Sequence, residues 1–358
     1  MSQSNLNYIK VNVQDLTLGF NEHVSKYINW KTYEDTWKIV DRGETDMNAL
    51  PLFHALRKYY SSRPKNRLNY ERKLLGLKHG GVSEITIEWI KRHIELYYSI
   101  KNDGYKPELR KNPVEVRIKN DGSIKVVDGN HTVSILRHLR HRYRITVKVV
   151  EREDGWLNLK MGLYNFYGKK LLYQPVEHPD FDDWDVDRES VDRWNAIKDA
   201  IGDIKGKHVI DLGSCTGYFT RKLTDLKAYA IGVELNPHRI FVAQTISKFK
   251  GYGSGHPAFF CKPYEDFLLK NIKPKGNNKS VFDVGLHLSV LHHYIRRDLK
   301  EAWKSMMLVS EYCDRLILEL EVENIPIVWS PELILENTKY TSYRQIYKSN
   351  RPIYLYTK

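Results

Sequence analysis

The sequence predicts an α/β protein, with a doubly wound, mostly parallel sheet in its second half and an α+β domain before it. Three observations carry this. From about residue 190, short β-branched runs alternate with segments of helical spacing. The first of these runs, HVIDL, ends in the small-residue turn GSCTG. Residues 126–139, VVDGNHTVSILRHL, set another such turn between a strand and a helix. A length of 358 residues suits two domains.

Taken in order, IKVNVQDLTL reads as strand near the start. SEITIEWIKRHIELYYSI reads as a helix capped by Ser83, with Ile87, Ile90, Ile94 and Tyr97 on one face and Asp103-Gly104 ending it. VEVRIKNDGSIKVVD gives two more strands. Residues 174–190, QPVEHPDFDDWDVDRES, hold two prolines and a run of acids from Glu177 to Glu189 opposed only by Arg188. They read as an acidic linker between a domain at 1–173 and another at 191–358. A helix stopping at Gly202 follows, then HVIDL, the helix YFTRKLTDL, the strand AYAIGVEL and a helix from Pro237. The strand Ala258–Cys261, a helix from Tyr264, the strand SVFDVGLHL, the single helix RRDLKEAWKSMMLVSEY and the strand RLILELE come next. SYRQIYK and IYLYT, around SNRP, read as short antiparallel strands at a sheet edge.

Hydrophobic content of 41% and charged content of 28% suit a soluble globular protein. No apolar run of about 18 residues predicts a membrane span, and the N-terminus lacks a basic-then-apolar leader. Cys215, Cys261 and Cys313 are scattered, which predicts small core residues, no metal site and a cytoplasmic location. Residues 51–150 carry 22 Lys+Arg against 9 Asp+Glu, the whole of the net +13. That field suits an anionic partner or is simply a solvated basic face.

In a doubly wound sheet the ligand lies at the carboxyl ends of the strands. Asp211, Gly213 and Gly217 mark the first such end, where glycines let a ligand approach the backbone. Glu234 ends the second strand, and a carboxylate there can accept hydrogen bonds from both hydroxyls of a ribose. VIDLGSCTGYFT, GVELN and FDVGLHLSVLHHY resemble the class I S-adenosylmethionine-dependent methyltransferases over residues 190–358. The resemblance implies a Rossmann-like fold with S-adenosyl-L-methionine as cofactor. It implies that Asp211, Gly213 and Gly217 line the methionine end and that Glu234 holds the ribose. Near adenine, CKPYEDF offers Glu265 and Asp266.

After the fourth strand stands Ser-Val-Leu-His-His-Tyr, not the Asn/Asp-Pro-Pro-Tyr-type turn of amino-methyltransferases of DNA, and no Pro-Cys nucleophile occurs. His292 or His293 can serve as base toward a hydroxyl, or can cap and pack the following helix. Glu319 and Glu321 are further bases, and positioning alone can drive transfer from a sulfonium. Arg193-Trp194 and Ser-Val-Leu-His are similar to transferases that finish a modified wobble uridine in bacterial tRNA, and to relatives encoded with polysaccharide genes.

The strand-turn-helix unit with Asp128, Gly129, Asn130 and His131 resembles the ParB/sulfiredoxin superfamily over residues 7–150. That resemblance implies a nucleotide-phosphate site at the helix start, consistent with the positive end of the helix dipole. Thr132 stands where an arginine is usual, with Arg137 and Arg140 farther along, and no cysteine in this half can do sulfiredoxin chemistry. The turn is otherwise a structural stop. The expectation is an O-methyltransferase of a small-molecule or glycan acceptor, with an N-terminal anion- or nucleotide-binding, kinase-like domain. The alternatives are a tRNA-modifying enzyme docking through the basic segment, and a nucleotide-binding protein with a vestigial methyltransferase fold.

Overall fold

The computed structural model describes residues 7–19, 22–44, 46–107, 113–188, 190–253, 255–272, 280–320 and 329–358. Glu189 and Glu321 lie outside them. The chain divides into two compact units, residues 1–157 and 158–358.

The first unit begins with β1 (Tyr8–Asn12) and β2 (Leu16–Thr17). Five helices follow: α1 (Glu22–Ser25), α2 (Trp30–Asp41), α3 (Pro51–Ser61), α4 (Lys65–Leu74) and α5 (Val82–Asp103). Then come β3 (Val114–Ile118), β4 (Ile124–Asp128), α6 (Asn130–His138) and β5 (Arg144–Arg152). The sheet order is β1-β5-β3-β4-β2, with β1-β5 and β3-β4 antiparallel. This is the expected α+β arrangement. Helix α5 differs in detail from its reading. Gly81 is its N-cap, and Glu84 reaches back to the Gly81 N–H at 2.8 Å in place of a Ser83 cap. Its buried face is Ile85, Thr86, Ile90, His93, Tyr97 and Ile100. The face is turned from the expected one because His93 stacks inward on His131.

Helix α7 (Asp154–Tyr167) runs from one unit into the next. Strands β6 (Leu171–Leu172) and β7 (Asp185–Val186) pair in parallel. The acidic segment, expected as a linker over 174–190, is instead built into the second unit. Asp180 is buried against Lys160 at 2.9 Å, and Glu177 binds Arg221 at 3.0 Å and Lys222 at 2.9 Å. Burial of apolar neighbours such as Phe181 and Trp184 draws the segment in, and the distant cations make it tolerable.

Then follow α8 (Val191–Ile201), β8 (His208–Leu212), α9 (Tyr218–Asp225), β9 (Tyr229–Glu234), α10 (Pro237–Phe249), β10 (Ala258–Cys261) and α11 (Tyr264–Asn271). The unit ends with β11 (Phe282–His287), α12 (Leu291–Arg297), α13 (Leu299–Tyr312), β12 (Cys313–Glu319), α14 (Pro331–Glu336), β13 (Ser342–Tyr347) and β14 (Ile353–Thr357). The single helix read over 296–312 is broken, because Asp298 turns out of helix and caps α13 through the Lys300 and Glu301 N–H groups. The sheet order is β10-β9-β8-β11-β12-β14-β13. The first five strands are parallel, and β14 is antiparallel to both neighbours. This is the doubly wound, Rossmann-like sheet that the alternation predicted. Both faces are covered: Ile210, Leu212, Leu316 and Leu318 enter one core, Val209 and Ile317 the other. Each such buried side chain contributes about 1.5–3 kcal/mol.

Candidate functional site

The strand order reverses between β8 and β11, and a cavity of ≈670 Å³ opens at the carboxyl ends of β8, β9 and β11. Gly213 lines it at φ 77°, and a Cβ there would stand 2.3 Å from a Val290 methyl. Only glycine lets the loops after β8 and β11 come this close. Gly217 caps α9 at φ 78°, and its Cβ would meet the Phe259 ring at 2.7 Å. Two residues with side chains, Cys215 and Ser289, also line the cavity with positive φ, 52° and 56°. Such strain gathers where structure is held for use.

Asp211 is buried and accepts the Thr220 hydroxyl at 2.6 Å. Glu234 lines the cavity, and its carboxylate accepts the N–H groups of Cys215 at 3.0 Å and Asn236 at 2.8 Å. Arg239 stands 3.9 Å from it. Ser214 and Thr216, in the same turn, are buried and do not line the cavity. Glycine-shaped backbone and a carboxylate at the second strand end together fit a nucleoside carrying a polar tail.

Burial pushes the Asp211 carboxyl up from its ordinary 3.8 to about 6; the Thr220 bond opposes this and the Glu234 charge adds to it. The folded protein therefore binds this proton more tightly than the unfolded chain. The stability gained is complete below about pH 4 and is lost as pH rises through about 6. Asp211→Asn keeps an oxygen for Thr220 and has no proton to lose. Its stability relative to wild type is expected to grow from pH 4 to pH 7, by up to about 3 kcal/mol. Urea midpoints across that range check this, and a difference that does not change with pH would refute it.

His292 and His293 both line the cavity, their ring centroids 4.1 Å apart. Burial, then His293, Arg351, Arg296 and Arg188, hold the His292 imidazole down at about 3, so it is neutral at physiological pH. Glu319 is already engaged: Arg193 binds it at 2.7 Å and the Ser289 hydroxyl donates to the same oxygen at 3.0 Å. Glu265 and Asp266 lie off the cavity. The first turn of α11 points Glu265 at Ser305, 3.0 Å away, and Asp266 at Lys270, also at 3.0 Å. Lys262, Pro263 and Tyr264 line that wall in their place. Sequence reasoning also passed over Arg188, Arg297, Arg351, Phe166, Tyr167 and Tyr173, all in the lining. Arg188 had left a signal as the lone cation in the acidic run.

In the first unit, Asp128, Gly129, Asn130 and His131 all line a second cavity of ≈890 Å³. Gly129 is the N-cap of α6 at φ 99° and supplies no side-chain cap to the first N–H groups of the helix, whose residues line the cavity. Asn130 clasps the backbone of Gly19 at 3.0 and 3.3 Å. His131 stacks on His93 at 3.5 Å and meets the edge of Tyr33 at 5.2 Å. Thr132 is buried, and Arg137 is directed to Gln14 and the Leu16 carbonyl. Arg137 and Arg140 are not in the lining; its cations are Arg67, Arg117 and Lys125.

Among the described residues no three His, Cys, Asp or Glu side chains gather as a metal site, and no helix is long and apolar enough to cross a membrane.

No family model matches the chain. It is similar to the tRNA U34 carboxymethyltransferase of Hydrogenovibrio crunogenus (strain DSM 25203 / XCL-2), 29% identical over 102 residues, 28% of this chain and 29% of that protein. It is also similar to the O-antigen chain terminator bifunctional methyltransferase/kinase WbdD of Escherichia coli, 23% identical over 167 residues, 44% of this chain and 22% of the relative. The chain thus matches less than a third of the length of either relative. Among solved structures, WbdD superposes with a TM-score of 0.45 at 22% identity, covering 56% of this chain and 41% of the other. The magnesium protoporphyrin IX methyltransferase (ChlM) from Synechocystis PCC 6803 with bound SAM gives 0.36 at 16%, covering 47% and 79%.

Proposed function

We propose that the protein is an S-adenosyl-L-methionine-dependent O-methyltransferase whose donor site is the cavity of the second unit. The single observation that carries the reading is Glu234: it is fixed by two backbone N–H groups at the end of the second parallel strand, beside the glycine turn of the first. Glu234 would hold the ribose hydroxyls, and Gly213 and the turn to Gly217 would cradle the methionine end. Asp211 steadies that turn through Thr220. The cofactor supplies an electrophilic methyl group on sulfur. The protein's part is to align an acceptor oxygen with it and to exclude water, which the enclosing Phe166, Tyr167 and Tyr173 favour. The methyltransferase names among the sequence relatives support the same reading. Calorimetric titration with S-adenosyl-L-methionine and its demethylated product S-adenosylhomocysteine tests it. Binding of both is expected; a folded protein that binds neither overturns it.

A second ligand is proposed for the first unit. A cavity at the open start of α6, walled by the stacked rings of Trp89, His93 and His131 and reached by Lys125, suits a nucleotide: phosphate at the N–H groups, base on the rings. Titration with ADP and CTP is expected to show binding that Lys125→Gln weakens about tenfold. Equal behaviour of the variant and wild type would refute it.

A further inference from the structure

We infer that helix α4 is a docking face for an anionic membrane surface: Tyr70 and Leu74 enter the headgroup layer while Lys65, Lys73 and Lys78 meet the lipid phosphates. This stands apart from both ligand sites proposed above.

Residues 51–79 hold eight Lys+Arg and a single carboxylate, Glu71. Glu71 is 4% exposed and is already bound by Arg67 at 2.9 Å. Lys65, Lys73 and Lys78 are exposed, and among the described residues no carboxylate pairs with them. Helix α3, which packs on α5 as α4 does, adds the exposed Arg57 and Lys58. This stretch therefore carries a field that the protein itself does not neutralise.

The helix also shows apolar surface in an unexpected place. At about 100° per residue, Asn66, Arg67, Tyr70, Lys73 and Leu74 of α4 share one side, and Glu71 and Leu75 the other. Burial follows that division: Glu71 and Leu75 are buried, while Tyr70 is 55% and Leu74 54% exposed. The amphipathic pattern is thus partly inverted, with a carboxylate turned inward and two large apolar groups turned outward. Tyr70 and Leu74 lie one turn apart, with Lys73 and Arg67 on either flank. The Arg67 guanidinium stands 4.9 Å over the Tyr70 ring.

An apolar centre within a cationic rim matches the headgroup boundary of an anionic leaflet. Tyrosine suits that boundary, leucine gains by leaving water, and lysines gain from the negative surface potential. A nucleic acid would use the ring of Tyr70 and the charges but would gain little from Leu74. The contact is peripheral, since no described helix is long and apolar enough to cross a membrane.

The experiment sediments the full chain with vesicles of phosphatidylcholine, alone or with about one-third phosphatidylglycerol. Binding to the anionic vesicles is expected to be at least about tenfold tighter, and to weaken at least about tenfold between about 0.1 and 0.5 M salt. Lys65→Gln/Lys73→Gln/Lys78→Gln is expected to lose about a hundredfold, since each charge near such a surface is worth about fivefold. Tyr70→Ser/Leu74→Ser, which leaves the charge alone, is expected to lose about tenfold. No preference for anionic vesicles, or one untouched in both variants, overturns the inference. So does a loss in the lysine variant alone, because the face is then a field for any polyanion. A single-stranded RNA of about twelve nucleotides that binds more tightly than the vesicles, and is weakened by the same variants, assigns the face to nucleic acid and also overturns it. All five positions are on the surface, and a urea midpoint equal to that of wild type certifies folding. Where a multiple variant falls short of it, Lys73→Gln and Leu74→Ser singly carry the same comparison.

Discussion

Glu234→Ala is expected to weaken S-adenosylhomocysteine binding by 100-fold or more. Two hydrogen bonds to a carboxylate in a shielded site are each worth about 1.5–3 kcal/mol, and about 1.4 kcal/mol is tenfold in affinity. The same side chain ties Cys215 to the end of β9, so its loss also frees the turn that would surround the methionine tail. Two variants separate these effects. Glu234→Gln keeps an acceptor for the Cys215 N–H but can no longer take both ribose hydroxyls while doing so. It is expected to fold as wild type and to lose about tenfold in affinity. If Glu234→Gln binds as tightly as wild type, the carboxylate is a structural staple and the ribose assignment is wrong. Isothermal calorimetry at one pH and salt concentration reads both.

The second large effect falls on stability. Arg193→Met removes the cation from a pair in which neither partner reaches solvent: Arg193 is 6% exposed and Glu319 is 4%. Glu319 would keep only the Ser289 hydroxyl. Leaving a buried charge uncompensated costs about 3–5 kcal/mol. Arg193 also bears on Asp211, whose ionised form its charge favours, and packs its guanidinium 5.2 Å over the Phe219 ring. The expected result is a fall in the urea midpoint that Glu319→Gln, added to Arg193→Met, largely restores, because the stranded charge is then gone. A double variant as unstable as Arg193→Met alone would show that packing on Phe219, not charge, is what Arg193 provides.

Much of the second unit was legible because its sheet is buried on both faces and so writes itself as apolar runs. HVIDL forms a strand of those five residues, and the turn after it carries glycines where φ is positive. What was not legible depends on partners far away in sequence. The acids at 177 and 180 look like a solvated linker until Arg221, Lys222 and Lys160 are brought to them. The buried face of α5 includes Thr86 and His93, which hydropathy alone assigns to solvent. At the site the motif residues Gly213, Glu234 and His292 meet as their order along the strands implies. Arg188 and Arg351 join them only through the loop after β7 and the final hairpin, and no spacing rule links those segments.

That hairpin imposes an order on biosynthesis. Strand β14 lies between β12 and β13 although both are translated before it. Until it emerges from the ribosome, β12 presents an open row of backbone donors and acceptors, a template for pairing with another nascent chain. A chain cut off before residue 348 would keep that row open and lack Arg351 as well as β14, and is expected to aggregate on expression where the full chain does not.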